Sequence, residues 1–225
     1  MKRNYGIDLL RMVAMVFVIL LHITGTGGVC ANSRLFSPQF FLSQFIRIAT
    51  FCAVNCYALI SGFVGWTRTP KLSSLLRLWA KVIAFCVAAT VMMELLAPQA
   101  VGLGDLRKAF FPVTEASYWY FNAYVVLFFF IPLLNHAIRS IPGREAVFAM
   151  AGIFLLANGY SALWLVILYI LGGLLARFDI PAKLPAKGWA LVYLLAVLGS
   201  FLPRMAILVL KPGLWSADNY NLSMQ

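Results

Sequence analysis

The chain has 225 residues, of which 63% are hydrophobic and 11% charged, with a formal net charge of +11. Water-soluble domains run about 45–50% apolar and about 25% charged, so this composition excludes a soluble globular protein and makes lipid the solvent for most of the surface. The positive excess does not imply nucleic acid, because Lys and Arg fall in short breaks between apolar runs rather than in a stripe interleaved with aromatics.

The chain opens on Met1-Lys2-Arg3 and an apolar stretch, as a signal peptide would. Asp8, Arg11 and His22 interrupt that stretch and no small-residue cleavage site follows, so it reads as a retained first helix, from about Asp8 to Gly27. Further helices are expected at Phe41 to Gly65, Leu76 to Leu96, Trp119 to Ala137, Glu145 to Ala157, Ala162 to Arg177 and Trp189 to Leu210. The fold class is therefore an all-α polytopic transmembrane helix bundle of about seven helices, forming a single membrane-embedded domain over residues 1–225. The fifth and sixth are shorter than the ~20 residues a perpendicular span needs, and Asn158-Gly159-Tyr160-Ser161 between them reads as a tight turn, so a re-entrant pair is the alternative there. Helices are preferred over barrel strands because the apolar runs are continuous rather than alternating, and every backbone group in lipid must be paired internally.

Eleven basic residues fall on the N-terminal side of this topology: Lys2, Arg3, Arg68, Lys71, Arg77, Lys81, Arg139, Arg144, Arg177, Lys183 and Lys187. Four (Arg34, Arg107, Lys108 and Lys211) fall on the other, and Arg11, Arg47 and Arg204 lie within helices. The positive-inside bias puts the N-terminus in the cytoplasm, with the loops after helices one, three and seven outside. Cys52, Cys56 and Cys86 sit in apolar segments and Cys30 in a loop, without metal spacing or a disulfide framework. Cys52 and Cys56, one helical turn apart, read as small hydrophobes.

The first helix carries the informative chemistry. Charges at membrane depth cost about 2.5–3.5 kcal/mol each on insertion scales, so they usually line a cavity or a pathway. At ~100° per residue the step from Arg11 to His22 turns three times plus about 20°, which puts both on one face about 16 Å apart along the axis. Asp8 shares that face, and Thr26 extends it by one turn. An imidazole, which titrates near 6.5 in water, suits a general base for a hydroxyl. A guanidinium suits a phosphate-bearing donor, and Asp8 would orient Arg11 or offset its charge. The plainer reading is an interfacial ion pair of Asp8 with a snorkelling Arg11, and a His22 hydrogen-bonded to a neighbouring helix. Periodicity alone does not separate the two.

Asp8, the Arg11-x10-His22 spacing, the run Cys56-Tyr57-Ala58-Leu59-Ile60-Ser61-Gly62-Phe63 and Trp119-Tyr120-Phe121 together resemble acyltransferase family 3. Its members are multi-helix bacterial membrane proteins that move acetyl or other short acyl groups from cytoplasmic acyl-CoA to envelope glycans or related acceptors. The resemblance implies that His22 acts in acyl transfer, that Arg11 supports the donor or His22, and that the Ser61 region shapes the cytoplasmic mouth. The family often carries an Arg-rich run after the Ser-Gly motif for the CoA phosphates. Here the basic residues are spread as Arg68, Lys71, Arg77 and Lys81, of which Arg77 and Lys81, one turn apart, could form a phosphate clamp; a solvated loop explains each singly. Members usually have more helices than this chain, so an end at Gln225 is expected to leave the bundle without its closing helices.

Arg47 and Arg204 could face an anionic acceptor, although snorkelling to outer headgroups explains them more cheaply. Asn55 and Glu94 are weaker candidates of the same kind, and His136 reads as interfacial. The run Phe128-Phe129-Phe130 reads as lipid contact. The expected partners are the bilayer, acetyl-CoA as co-substrate and a glycan or lipid-linked glycan, with no metal and no nucleic acid. Two other classes compete: a proton-coupled transporter or export partner using Asp8, Arg11 and His22 as a path, and an inactive truncated remnant.

Overall fold

The computed structural model describes residues 4–97, 102–111, 118–142, 145 and 162–211. Helix α1 spans Tyr5–Thr24 and starts where the Asn4 side chain accepts from the backbone N–H groups of Gly6 and Ile7, at 3.0 and 3.4 Å. It stops at a glycine cluster: Gly25 N–H bonds to Leu21 O at 2.9 Å and Gly27 N–H to His22 O at 2.7 Å. Gly28 takes φ 78°, open to glycine, and begins the short α2, Val29–Asn32. Ser37 then caps α3, Pro38–Thr50, with Pro38 in its first turn.

The second expected helix is broken. Helix α3 ends at Thr50 and α4 runs Ala53–Gly65, although together Pro38–Gly65 make one apolar stretch of 28 residues. The cause is local: Thr50 Oγ1 donates to the carbonyls of Ile46 and Arg47 at 2.9 and 3.2 Å, and such back-bonding bends helices. Beyond lie α5 (Leu72–Leu96), α6 (Leu103–Phe110), α7 (Trp119–Ser140), α8 (Ala162–Arg177), a 3₁₀ turn at Ile180–Lys183 and α9 (Ala186–Leu210). The short amphipathic α6 is held at its start by Asp105, whose Oδ2 accepts from Gly102 N–H at 3.1 Å. That backbone bond, with Lys108 at 3.5 Å, holds the Asp105 carboxyl below the usual carboxylate range. The expected helix at Glu145 to Ala157 and the Asn158 to Ser161 turn lie outside the described residues, Glu145 aside.

The chain divides into two compact units, Met1–Ile60 with Leu175–Gln225, and Ser61–Leu174; both divisions fall inside helices, α4 and α8. In the first unit α1 and α9 pack on α3. Phe40, Met205 and Leu208 form an apolar core there, and Phe45 meets Phe201 edge to face at 5.5 Å. Tyr193 on α9 donates to the carbonyl of Ala49, at the broken end of α3.

In the second unit small residues let backbones touch. A Cβ on Gly62 would run into the Tyr169 carbonyl, and one on Gly173 would lie 2.6 Å from Ile138 Cδ1. Close backbone approach of this kind drives helix association in lipid, where apolar burial adds little. Phe129, Phe130 and Leu133 on α7 and Phe85 on α5 are exposed, as lipid-facing side chains should be.

Candidate functional site

On α1, Arg11 Nη1 lies 3.5 Å from Asp8 Oδ1, so the two charges are paired one turn apart. Tyr57 on α4, within the Cys56 to Phe63 run, donates its hydroxyl to the Arg11 carbonyl at 3.0 Å. That bond fixes α4 against α1 at the level of the ion pair. Arg11 and His22 are not brought together, since the intervening helix holds them about 16 Å apart along its axis.

His22 occupies the last turn of α1, and its side chain is exposed. Its Nδ1 lies 2.8 Å from Val18 O. A carbonyl can only accept, so the neutral ring carries its proton on Nδ1 and presents a lone pair at Nε2. The backbone of this turn is pinned as well, because the His22 carbonyl accepts from Gly27 N–H and, at 3.2 Å, from Thr26 Oγ1. Thr26, expected to extend the polar stripe, uses its hydroxyl to close the helix instead.

Arg47 departs from the snorkelling expected of it. Its side chain is buried, at 7% exposed, on a face of α3 that also buries Ser43, Gln44 and Thr50. The guanidinium lies against the end of α1: a Cβ built on Gly25 would come 3.1 Å from Arg47 Nη1 and 3.4 Å from its Cζ. Gly25 has no side chain, and that bare position, with α3 turned toward α1, takes the guanidinium inward. Arg204 is half-buried on α9.

Asp8, Arg11 and His22 belong to the first unit and Ser61, Arg77 and Lys81 to the second. Ser61 is half-buried beside Gly62, whose backbone meets that of Tyr169. The glycines of the Ser-Gly-Phe segment are thus needed for packing: a Cβ on Gly65 would come 2.8 Å from the Tyr169 hydroxyl. Just beyond, Asn135 of α7 donates from Nδ2 to the carbonyls of Gly65 and Arg68, at 3.1 and 2.9 Å. Its Oδ1 accepts from the Tyr169 hydroxyl at 2.9 Å, and Arg139 Nη2 donates to Trp66 O at 3.2 Å. These bonds fasten the end of α4 and the start of the basic loop.

Arg77 bends back along its own helix, with Nε 3.2 Å from Ser73 O and Nη2 3.5 Å from Ser74 Oγ. Lys81, one turn on, is exposed, and so is Arg77. Sequence reasoning missed Asn135, Tyr169 and Gln44. A polar residue in an apolar helix is the signal for Asn135, but it was masked by its neighbour His136, which is exposed. All four cysteines are free thiols, and among the described residues no three of His, Cys, Asp or Glu cluster as metal ligands would.

Among the described residues five segments are long and apolar enough to cross a membrane, and the regular structure there is entirely helical. The molecule is a multi-pass helical membrane protein. Residues 4–224 match the profile of the acyltransferase domain of acyltransferase family 3, nearly the whole chain, and the protein belongs to that family. It is a membrane acyltransferase and draws on an acyl donor as co-substrate. Neither a curated protein nor a solved structure matches it.

Proposed function

We propose that this membrane domain transfers an acetyl or other short acyl group from cytoplasmic acyl-CoA, acetyl-CoA foremost, to a hydroxyl of an envelope glycan or related acceptor. The observation that carries the reading is the Nδ1 bond of His22 to Val18 O, which leaves Nε2 as the basic nitrogen. An acceptor hydroxyl gives its proton to Nε2 while its oxygen attacks the thioester carbonyl. A C–O bond forms, the C–S bond breaks, and the proton passes from the imidazolium to the departing CoA thiolate. Arg11 supports the donor or His22, and its pairing with Asp8 offsets the charge on the helix. Ser61 shapes the cytoplasmic mouth, and Arg77 and Lys81 take CoA phosphates. Orientation follows the basic loops, with the N-terminus in the cytoplasm of a bacterial inner membrane.

The test is transfer of radiolabelled acetyl from acetyl-CoA into envelope glycans by membranes that carry the protein. The expected result is label that falls by on the order of 10²-fold or more in His22→Ala at equal protein level. Undiminished label in that variant would remove His22 from the reaction. If no label transfers and solute flux instead follows a pH gradient, a transporter is the better account.

A further inference from the structure

Cys52 and Cys56 stand one turn apart at the joint between α3 and α4, and both are half-buried. Read from the sequence they are small hydrophobes, but the structure brings their thiols together in a hydrogen bond. Cys56 N–H also bonds to the Cys52 carbonyl at 3.0 Å, so one helical turn holds the pair in register. Cys52 precedes Ala53, the first residue of α4, and its thiol lies 3.8 Å from the Ala49 carbonyl in the last turn of α3. Tyr193 of α9 reaches the same place, donating to Ala49 O and touching the Cys52 thiol.

The pair lies near the middle of the apolar stretch Pro38–Gly65, at the depth of the hydrocarbon layer. Phe51 and Tyr193 beside it are 45% and 39% exposed, so among the described residues the joint is open on that side. A reactant that comes to it there must dissolve in lipid, and a charged product would cost about 2.5–3.5 kcal/mol at that depth. A sulfinate or a lasting thiolate carries charge, whereas a disulfide carries none.

We infer that Cys52 and Cys56 form a redox-active dithiol, oxidised to a disulfide by a lipid-soluble quinone. The two S–H bonds break and one S–S bond forms; both protons and both electrons pass to the quinone oxygens, which leaves a hydroquinone. In a regular helix the Cβ atoms of such a pair are about 5–6 Å apart, and a bridge needs about 3.5–4.5 Å, so closure draws Cys52 in by about 1–2 Å. Cys52 can make that movement because it stands outside α4, at the break after Thr50. Oxidation also removes the thiol proton directed at Ala49 O, so the state of the two sulfurs sets how α4 is joined to α3. This chemistry draws on neither His22 nor the acyl donor.

The experiment uses the purified full chain in lipid nanodiscs, reduced with dithiothreitol, freed of it, and given a fully substituted benzoquinone with an alkyl tail. Hydroquinone is followed by absorbance, and thiols by N-ethylmaleimide after unfolding in dodecyl sulfate, with peptide masses. The expected result is about one hydroquinone per chain and a peptide bridged from Cys52 to Cys56, lighter by two hydrogens. Cys30 and Cys86, both buried and apart from the pair, should stay alkylatable, and dithiothreitol should restore Cys52 and Cys56.

Cys52→Ser and Cys56→Ser should each lose hydroquinone formation, whereas Cys30→Ser should keep it. The bridged peptide of the parent is read without any substitution, so a variant that fails to fold leaves the test standing. The inference is overturned if no hydroquinone forms, or if either variant at the pair forms as much as the parent. It is overturned equally by added oxygen or a bridge between two chains in place of the internal one, or if oxidised glutathione, which stays in water, closes the pair faster than the quinone.

Discussion

Asn135 on α7 and Gln44 on α3 are both enclosed carboxamides, 4% and 0% exposed. Asn135 makes three bonds, two from its N–H groups to Gly65 and Arg68 and one to its oxygen from Tyr169. Gln44 makes none with the described residues. A satisfied buried amide specifies a packing, because each partner must arrive in one geometry. An unsatisfied one detracts from stability. The second unit is thus fastened where the basic loop begins, while the first encloses a carboxamide that spends none of its hydrogen bonds on the described residues.

Asn135→Ala is the severest way to break that contrast. It strands two carbonyls and a phenol and should cost about 3 kcal/mol, read as a fall in unfolding temperature on the order of 10 °C in detergent. A fall below about 3 °C would mean that the network adds little. Tyr169→Phe sharpens the comparison by removing one of the three bonds. Its cost should be about 1 kcal/mol, measured in the same assay, and a cost equal to that of Asn135→Ala would show that the phenol alone holds the knot.

Asp105 supplies the smallest effect and a third case, a satisfied polar group in water. Its carboxyl is held down by Gly102 N–H and then by Lys108. Its contribution is therefore full above the ordinary carboxylate value near 4 and is lost as pH falls through the lowered one. Exchange of the α6 amide protons should quicken relative to α5 in that acid window only, and Asp105→Asn should abolish the difference. A pH-independent ratio would remove the cap from the account.

The helical bundle was legible because apolar runs declare themselves, and Ala162 to Arg177 was found with the bounds the structure gives. Four other helices begin three or four residues before the apolar signal does, at Tyr5, Pro38, Leu72 and Ala186. Their first turns carry caps, prolines and polar residues, which hydropathy reads as loop. The break after Thr50 was not legible, since no proline or glycine marks it and its cause is a hydroxyl turned back on its own helix.

The Asp8 and Arg11 pairing and the shared His22 face followed from helical period alone. Asn135 did not, because its carbonyl partners lie 70 and 67 residues away. Arg47 was misjudged for a similar reason. Whether an arginine snorkels depends on whether a neighbour makes room, and here the room is the bare Gly25, which no pattern within α3 could reveal.

The interrupted stretch Pro38–Gly65 also bears on the bilayer itself. Twenty-eight residues of unbroken helix would measure about 42 Å, against a hydrocarbon layer of about 30 Å. A rigid rod of that length must lean steeply or force the surrounding lipid to thicken. With a joint after Thr50 the two pieces can lean separately, so the excess length is taken up by an elbow in the protein rather than by strain in the membrane.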